Sequence, residues 1–288
     1  MRGEAVGKRP VVPIGSCHVE LPSAVGPPPL CLAPTNSPEA LIRRLVLWNI
    51  DLTLVDVARV SRGAYADAFR RVTGRPLRAL PQTTARTDSQ IFFEALALNG
   101  VGPGPALDQT VAGGQELLAR YTRELEAAFG ARLDLLSTQG RALPGAREAV
   151  AAVAELPGVV QSVLTGTIRP NAAVKLRAFG MDQFFDFEIG GYGSEIYPMG
   201  AQLLRSRGRA AEKYGAEISV NPAVYLADSG RDVEAARVGG AHCVAVASGR
   251  STAGELRDAG ADLVLDDLAD TEAVVSAVDR LTSAVSAG

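Results

Sequence analysis

Leu45-Val46-Leu47-Trp48-Asn49-Ile50-Asp51-Leu52-Thr53-Leu54 is the stretch that decides the fold of this chain. An apolar run of the kind expected for a buried strand ends in a polar triplet, Asn49-x-Asp51-x-Thr53. Trp48, just before the triplet, reads as a core or hinge residue. The triplet brings two amide or carboxylate groups and a hydroxyl to the point where the strand leaves the core.

Working outward, the 288 residues suffice for one large domain or for a core with a smaller insert. Hydrophobic residues make up 47% and charged residues 21%, the balance of a soluble globular protein. The net charge of −3 leaves no basic footprint, which argues against a nucleic-acid partner. No apolar run reaches membrane-spanning length, so no membrane partner is expected and the expected location is the cytoplasm. Val11-Val12-Pro13-Ile14-Gly15-Ser16-Cys17 after Arg2, Lys8 and Arg9 faintly resembles an export signal, but its apolar part is short and interrupted by proline. Cys17, Cys31 and Cys243 have no metal spacing, and their odd number argues against a disulfide framework. His18 and His242 are the only histidines, leaving little material for a zinc site or a Ser-His-Asp triad. His242 reads as a strand-edge residue before the apolar run from Cys243 to Val246.

Residues 1–40, with Pro27-Pro28-Pro29 and no periodicity, read as a disordered tail. Ordered structure is expected from about Ser37-Pro38-Glu39. From Val60 to about Arg141 the apolar spacing is helical: Ala64, Ala68, Phe69 and Val72, then Ile91, Phe92, Ala95 and Leu96, then Leu117, Leu118, Tyr121 and Leu125. Beyond Pro144-Gly145 a helix to Leu156 opens a strand–helix alternation. Strands are expected at Val159–Leu164, Phe185–Ile189, Val224–Ala227, Cys243–Ala247 and Leu263–Leu265. Helices are expected at Asn171–Phe179, Leu203–Tyr214, Val233–Val238, Gly254–Ala259 and Thr271–Val285. The fold class is therefore α/β: a Rossmann-like parallel sheet with helices on both faces, plus an all-helical cap inserted after the first strand. In domain terms, 41–58 and 142–288 form the core and 59–141 the cap.

Such sheets bind ligands outside the carboxyl ends of their strands. Three strand ends carry polar clusters: Asn49/Asp51/Thr53, Thr165-Gly166-Thr167, and Asp228-Ser229 with Asp232. Oxygen ligands of this kind suit a hard cation such as Mg²⁺. Thr165 and nearby backbone N–H groups suit a phosphate. A single Asp or Thr at such a place is more often a helix cap or turn residue, but three ordered clusters are not explained that way.

In these clusters the chain resembles the haloacid dehalogenase superfamily. Asn49–Leu54 is similar to its first motif, Leu164-Thr165-Gly166 to its second and Leu226–Asp232 to its fourth. Ala85-Arg86-Thr87-Asp88 resembles a cap segment of the phosphoglycolate phosphatase-like branch. The likeness runs from about Arg44 to Leu268. It implies a phosphatase-type hydrolase acting on a small phosphorylated metabolite through an aspartyl-phosphate intermediate. It also implies Mg²⁺ held by Asn49, Asp51, Asp228 and Asp232, a phosphoryl group held by Thr165 and Gly166, and Asp51 as the general acid and base. Arg86 on the cap is either a contact to the non-phosphate part of the substrate or one half of a salt bridge.

Two departures alter that expectation. The family's first acid is the nucleophile, and here the position holds Asn49, a neutral amide unable to attack phosphorus. The same change removes a negative charge from the cation's ligands and lowers the repulsion toward phosphate. The family's third motif supplies a Lys or Arg, yet Gly193–Gly200 contains none. Arg205, Arg207, Arg209 and Lys213 follow it, and Lys175 lies on the helix after the second motif. Residues of this type on a helix beside a sheet are usually solvated; Arg205 is the candidate for phosphate binding. Two classes follow: a phosphomonoester hydrolase impaired at Asn49, or a non-catalytic phosphometabolite-binding or partner-binding protein on the same scaffold. Dehalogenation ranks last, since it also needs the missing carboxylate. Nothing in the sequence marks the substrate or an oligomer interface.

Overall fold

The computed structural model describes residues 44–101, 112–194, 198–215, 218 and 222–283. The proline-rich tail, the start of ordered structure and the export-signal reading lie outside the described residues. The described residues all fall in one compact unit.

Strand β1 (Arg44–Trp48) is an inner strand of a five-stranded sheet, one place from its edge. It pairs in parallel with β4 (Val159–Val163) on one side and β5 (Ala223–Ala227) on the other. Two further parallel strands, β6 (Ala241–Val246) and β7 (Leu263–Leu265), complete the order β4-β1-β5-β6-β7. The chain leaves β1 first toward β4 and later returns to its opposite side at β5. This reversal of direction is the topological switch point where ligands bind in doubly wound sheets. Every residue of β5 is buried, as befits a strand covered on both faces. Alternation along β1 separates the two cores. Val46 and Trp48 face one side with helices α5 (Ala146–Ala154), α6 (Arg169–Arg177) and α10 (Thr271–Thr282). Leu45 and Leu47 face the other side with α7 (Met199–Tyr214), α8 (Gly230–Val238) and α9 (Ala253–Asp258). Trp48 is fully buried and donates from Nε1 to Gln161 Oε1 at 2.8 Å, a core role. His242 sits on β6 as expected, 2.8 Å from Asp262 Oδ1.

Between Asp56 and Arg141 the described residues hold four helices: α1 (Ala58–Thr73), α2 (Asp88–Leu98), α3 (Ala112–Gly130) and α4 (Leu133–Gln139). Only the short α4 has no counterpart in the helical spacing read from the sequence. The chain leaves and re-enters the core through β2 (Val55–Asp56) and β3 (Arg141–Ala142), a two-residue antiparallel pair. The helices pack through α1 against α3 and through Phe92, whose ring stacks on Tyr121 at 3.9 Å. A reciprocal capping box starts α2: Thr87 Oγ1 accepts from Gln90 N, and Gln90 Oε1 accepts from Thr87 N.

One expected strand is absent. Phe185–Ile189 follows a single 3₁₀ turn and makes no ladder. Asp186 Oδ1 accepts from Glu188 N, which turns the backbone on itself, and only scattered bonds reach the β4 side, such as Asp186 N to Gln161 O. Among the described residues, no helix is long and apolar enough to cross a membrane.

Candidate functional site

The carboxyl ends of β1, β4 and β5 open into one cavity of about 550 Å³, lined by Asn49, Asp51, Thr165, Gly166, Asp228 and Asp232. The three sequence clusters therefore converge. Arg86 lines the same cavity, and its guanidinium pairs with Glu94 on α2.

Asn49 continues β1 by one backbone bond, its N–H reaching Leu226 O at 2.8 Å. Its side-chain Nδ2 donates to Asp228 Oδ1 at 2.9 Å and to the Asp51 carbonyl at 3.2 Å. Both partners are acceptors only, which fixes which end of the amide faces them. Thr53, fully buried, donates to the same Asp228 Oδ1 at 3.0 Å. Asp228 is buried, and its Oδ2 has no hydrogen-bond partner among the described residues. That oxygen packs against Gly249, where a Cβ would lie 1.9 Å away, so only glycine fits there. Burial, then the neighbouring Asp232, push the Asp228 carboxyl up to about 7 despite the Thr53 and Asn49 bonds.

Asp232 stands in the first turn of α8, whose N-cap is Ser229. Ser229 Oγ donates to its Oδ2, and the Tyr225 hydroxyl lies 3.0 Å from its Oδ1. Burial raises its pKa, offset by these two donors.

Asp51 is held from the opposite side. Lys175 Nζ on α6 lies 2.8 Å from its Oδ1 and 2.6 Å from its Oδ2, and Thr167 Oγ1 donates to Oδ2 at 2.9 Å. The third ammonium contact is Thr167 Oγ1 at 2.8 Å, and the charge sits 5.5 Å from the Phe129 ring centre. Only 1% of Lys175 is exposed. This buried cation is the residue that sequence reasoning passed over as solvated surface. Its signal was present: Asn171, Ala172, Lys175 and Leu176 form one buried stripe at i, i+1, i+4 and i+5.

Arg205 is not brought to the cavity with the other candidates. The inward face of α7 is set by Leu203, Ser206 and Ala210, which turns Arg205 outward, and it does not line the cavity. The other bases of α7 are engaged elsewhere: Arg207 with Gly240 O, Arg209 with Gly190 O, and Lys213 with Asp186 and Glu188. Residues Glu195, Ile196 and Tyr197 lie outside the described residues.

The helical segment docks on this loop. Asp88 N donates to Gly166 O at 2.7 Å, and Asp88 Oδ2 accepts from Ile168 N at 2.8 Å. Tyr65 holds the other carboxylate oxygen at 2.7 Å. Burial raises the Asp88 pKa, with Lys175 the main opposing influence. Gly166 has no alternative here, because a Cβ would lie 2.0 Å from the Arg86 carbonyl oxygen. Thr165 Oγ1 accepts from Thr167 N at 3.2 Å, which leaves its hydroxyl hydrogen for a ligand.

The donor set does not fit the expected Mg²⁺. Among the described residues no three His, Cys, Asp or Glu side chains converge as a cation site. Asn49 presents amide hydrogens where a cation would need a lone pair, and the Asp51 carboxylate is already paired with an ammonium. Both oxygens of Asp232 accept from hydroxyls.

Comparison with known proteins places the chain. No curated protein matches it. A hydrolase from Pseudomonas syringae superposes with a TM-score of 0.55 at 20% identity, covering 84% of this chain and 100% of its own. A predicted phosphoglycolate phosphatase from Haemophilus somnus gives 0.51 at 20% identity, covering 81% and 98%. CbbY from Rhodobacter sphaeroides, solved in complex with phosphate, gives 0.50 at 20% identity, covering 82% and 99%. At that identity these structures establish a shared fold. The sequence profile of the haloacid dehalogenase-like hydrolases matches residues 44–240, about two thirds of the chain and all three strand-end clusters, so the chain belongs to that family.

Proposed function

We propose that this protein binds a small phosphomonoester in the cavity at the β1 edge and does not hydrolyse it through an aspartyl-phosphate. The observation that carries this reading is the Asn49 amide. It occupies the position of the attacking carboxylate, and its nitrogen is bonded to both Asp228 Oδ1 and the Asp51 carbonyl. An amide so engaged offers phosphorus no nucleophile. Both Asp51 carboxyl oxygens are engaged, Oδ1 by Lys175 and Oδ2 by Lys175 and Thr167, so neither is free to serve a leaving oxygen. What remains suits binding: the Thr165 hydroxyl and the Gly166 backbone line the cavity and suit an anion. The helical segment acts as a cap over the ligand, with Arg86 and its Glu94 partner at the cavity wall. The phosphate named with CbbY supports the same class of ligand.

A second reading, a phosphatase disabled at one residue, is favoured by the convergence of Asp51, Thr165, Asp228 and Asp232 on one cavity. One variant separates the two. The chain as it stands is expected to leave p-nitrophenyl phosphate and a phosphomonoester panel intact while some of them raise its melting temperature. Turnover by the unaltered chain would overturn the proposal. Turnover appearing only in Asn49→Asp with Mg²⁺ would favour the disabled phosphatase.

A further inference from the structure

The site already holds a cation of its own. Lys175 is the one lysine in contact with the cavity's acids among the described residues, and all three of its ammonium contacts are used within the site. We infer that Lys175 and the Asn49 amide together replace a divalent metal, so that the cavity takes up a phosphate-class anion without one. The anion arm rests on the proposed function; the metal arm does not.

Charge and geometry both lead there. Asp51 and Asp228 are the acids that would hold a divalent cation and be linked by it. Here the bridge is built from N–H donors: Asn49 Nδ2 reaches Asp228 Oδ1 at 2.9 Å and the Asp51 carbonyl at 3.2 Å. The Asp51 carboxylate is neutralised by an ammonium at 2.6 Å whose side chain is 2% exposed. An incoming Mg²⁺ would meet amide hydrogens and a like charge held too deep for solvent to screen. An incoming phosphate would meet an already neutralised Asp51. Asparagine removes one negative charge and lysine supplies one positive charge, which together account for the two charges a divalent ion would bring. Lys175 does not line the cavity, so it is a positioning residue acting through Asp51 and Thr167.

The test uses the full-length protein, stripped with EDTA, and titrates it with MgCl₂ alone and with inorganic phosphate in EDTA or in Mg²⁺. The unaltered protein is expected to show no Mg²⁺ isotherm and a phosphate Kd unchanged within about twofold by Mg²⁺. Lys175→Met is expected to lose roughly tenfold or more of its phosphate affinity in EDTA. Mg²⁺ should then restore part of it, because the freed Asp51 carboxylate becomes available to a metal. Lys175→Arg, which keeps the charge, should remain indifferent to Mg²⁺. Sub-millimolar Mg²⁺ binding by the unaltered protein, a tenfold gain in its phosphate affinity with Mg²⁺, or full affinity of Lys175→Met in EDTA would each overturn the inference. If Lys175→Met does not fold, the Mg²⁺ titration of the unaltered protein still decides. If phosphate binds under neither condition while Mg²⁺ also fails to bind, the phosphomonoester reading falls and metal independence stands.

Discussion

Replacing Asp228 by Asn should stabilise the protein at pH 8 and do almost nothing at pH 5. Asp228 is 1% exposed, Oδ2 is without a partner, and its carboxyl titrates at about 7 against an ordinary 3.8. Between those values the folded chain keeps a proton that the unfolded chain has lost, so stability falls as pH rises through the window and levels off above about 7. A shift of about three units corresponds to about 4 kcal/mol of instability above the window. Asparagine is neutral throughout, and its Oδ1 can still accept from Asn49 and Thr53. Its nitrogen inherits the partnerless position of Oδ2, which costs about 1–2 kcal/mol. The balance is a gain of about 2–3 kcal/mol at pH 8, or roughly 5–10 °C in melting temperature for a chain of this size. At pH 5 the wild-type carboxyl is already protonated, so the gain vanishes. Thermal denaturation of both proteins in EDTA at the two pH values checks this. A pH-independent difference, or a variant that melts lower at pH 8, would refute the account.

Three further outcomes follow from the same geometry. Asn49→Asp puts a carboxylate about where Nδ2 now donates to Asp228 Oδ1, so it should lower stability by roughly 1–3 kcal/mol in EDTA at pH 8 and recover with millimolar Mg²⁺; melting curves with and without the metal read this directly. Gly166→Ala places a methyl group against the Arg86 carbonyl and should cost about 2 kcal/mol or more in chemical denaturation, with earlier proteolysis of the Arg86–Asp88 segment. Tyr65→Phe removes one of two donors to the buried Asp88 carboxylate and should cost about 1–3 kcal/mol, more at pH 8 than at pH 5 because burial already raises that carboxyl; equal losses at both pH values would count against it.

Much of the fold is legible in the sequence because burial on both faces leaves a plain mark. β1, β4, β5, β6 and β7 are short apolar runs, and the stripes of α1, α2 and α3 keep helical period. Where local pattern misleads, a longer-range or polar contact decides. Phe185–Ile189 has a strand's composition, but the Asp186 side chain turns its backbone. Arg205 follows from counting along a motif, while the face of α7 is settled by what Leu203 and Ala210 pack against. Lys175 lies on the buried stripe of α6, yet its partner Asp51 is 124 residues away, and periodicity alone does not pair them. The three strand-end clusters were readable because parallel topology brings every carboxyl end to one edge.

Asn49 acquires its meaning from that same long-range pairing. Had it simply replaced a nucleophile in an otherwise unchanged site, its amide hydrogens would lack matched acceptors and the acids around it would still need a metal. Instead, its Nδ2 satisfies Asp228 and the Asp51 backbone, Lys175 satisfies the Asp51 carboxylate, and Ser229 with Tyr225 satisfies Asp232. Of these acids' oxygens, Asp228 Oδ2 is left over among the described residues, and its carboxyl responds by holding a proton near neutral pH. On the proposed reading, an acid at position 49 would still face an Asp51 bound to Lys175. The effects of Asn49 and Lys175 are bound to be non-additive, since both bind the same residue, one through its backbone and one through its carboxylate. A site whose polar groups close on one another in this way is organised around an amide and an ammonium, and its ligand chemistry follows from them.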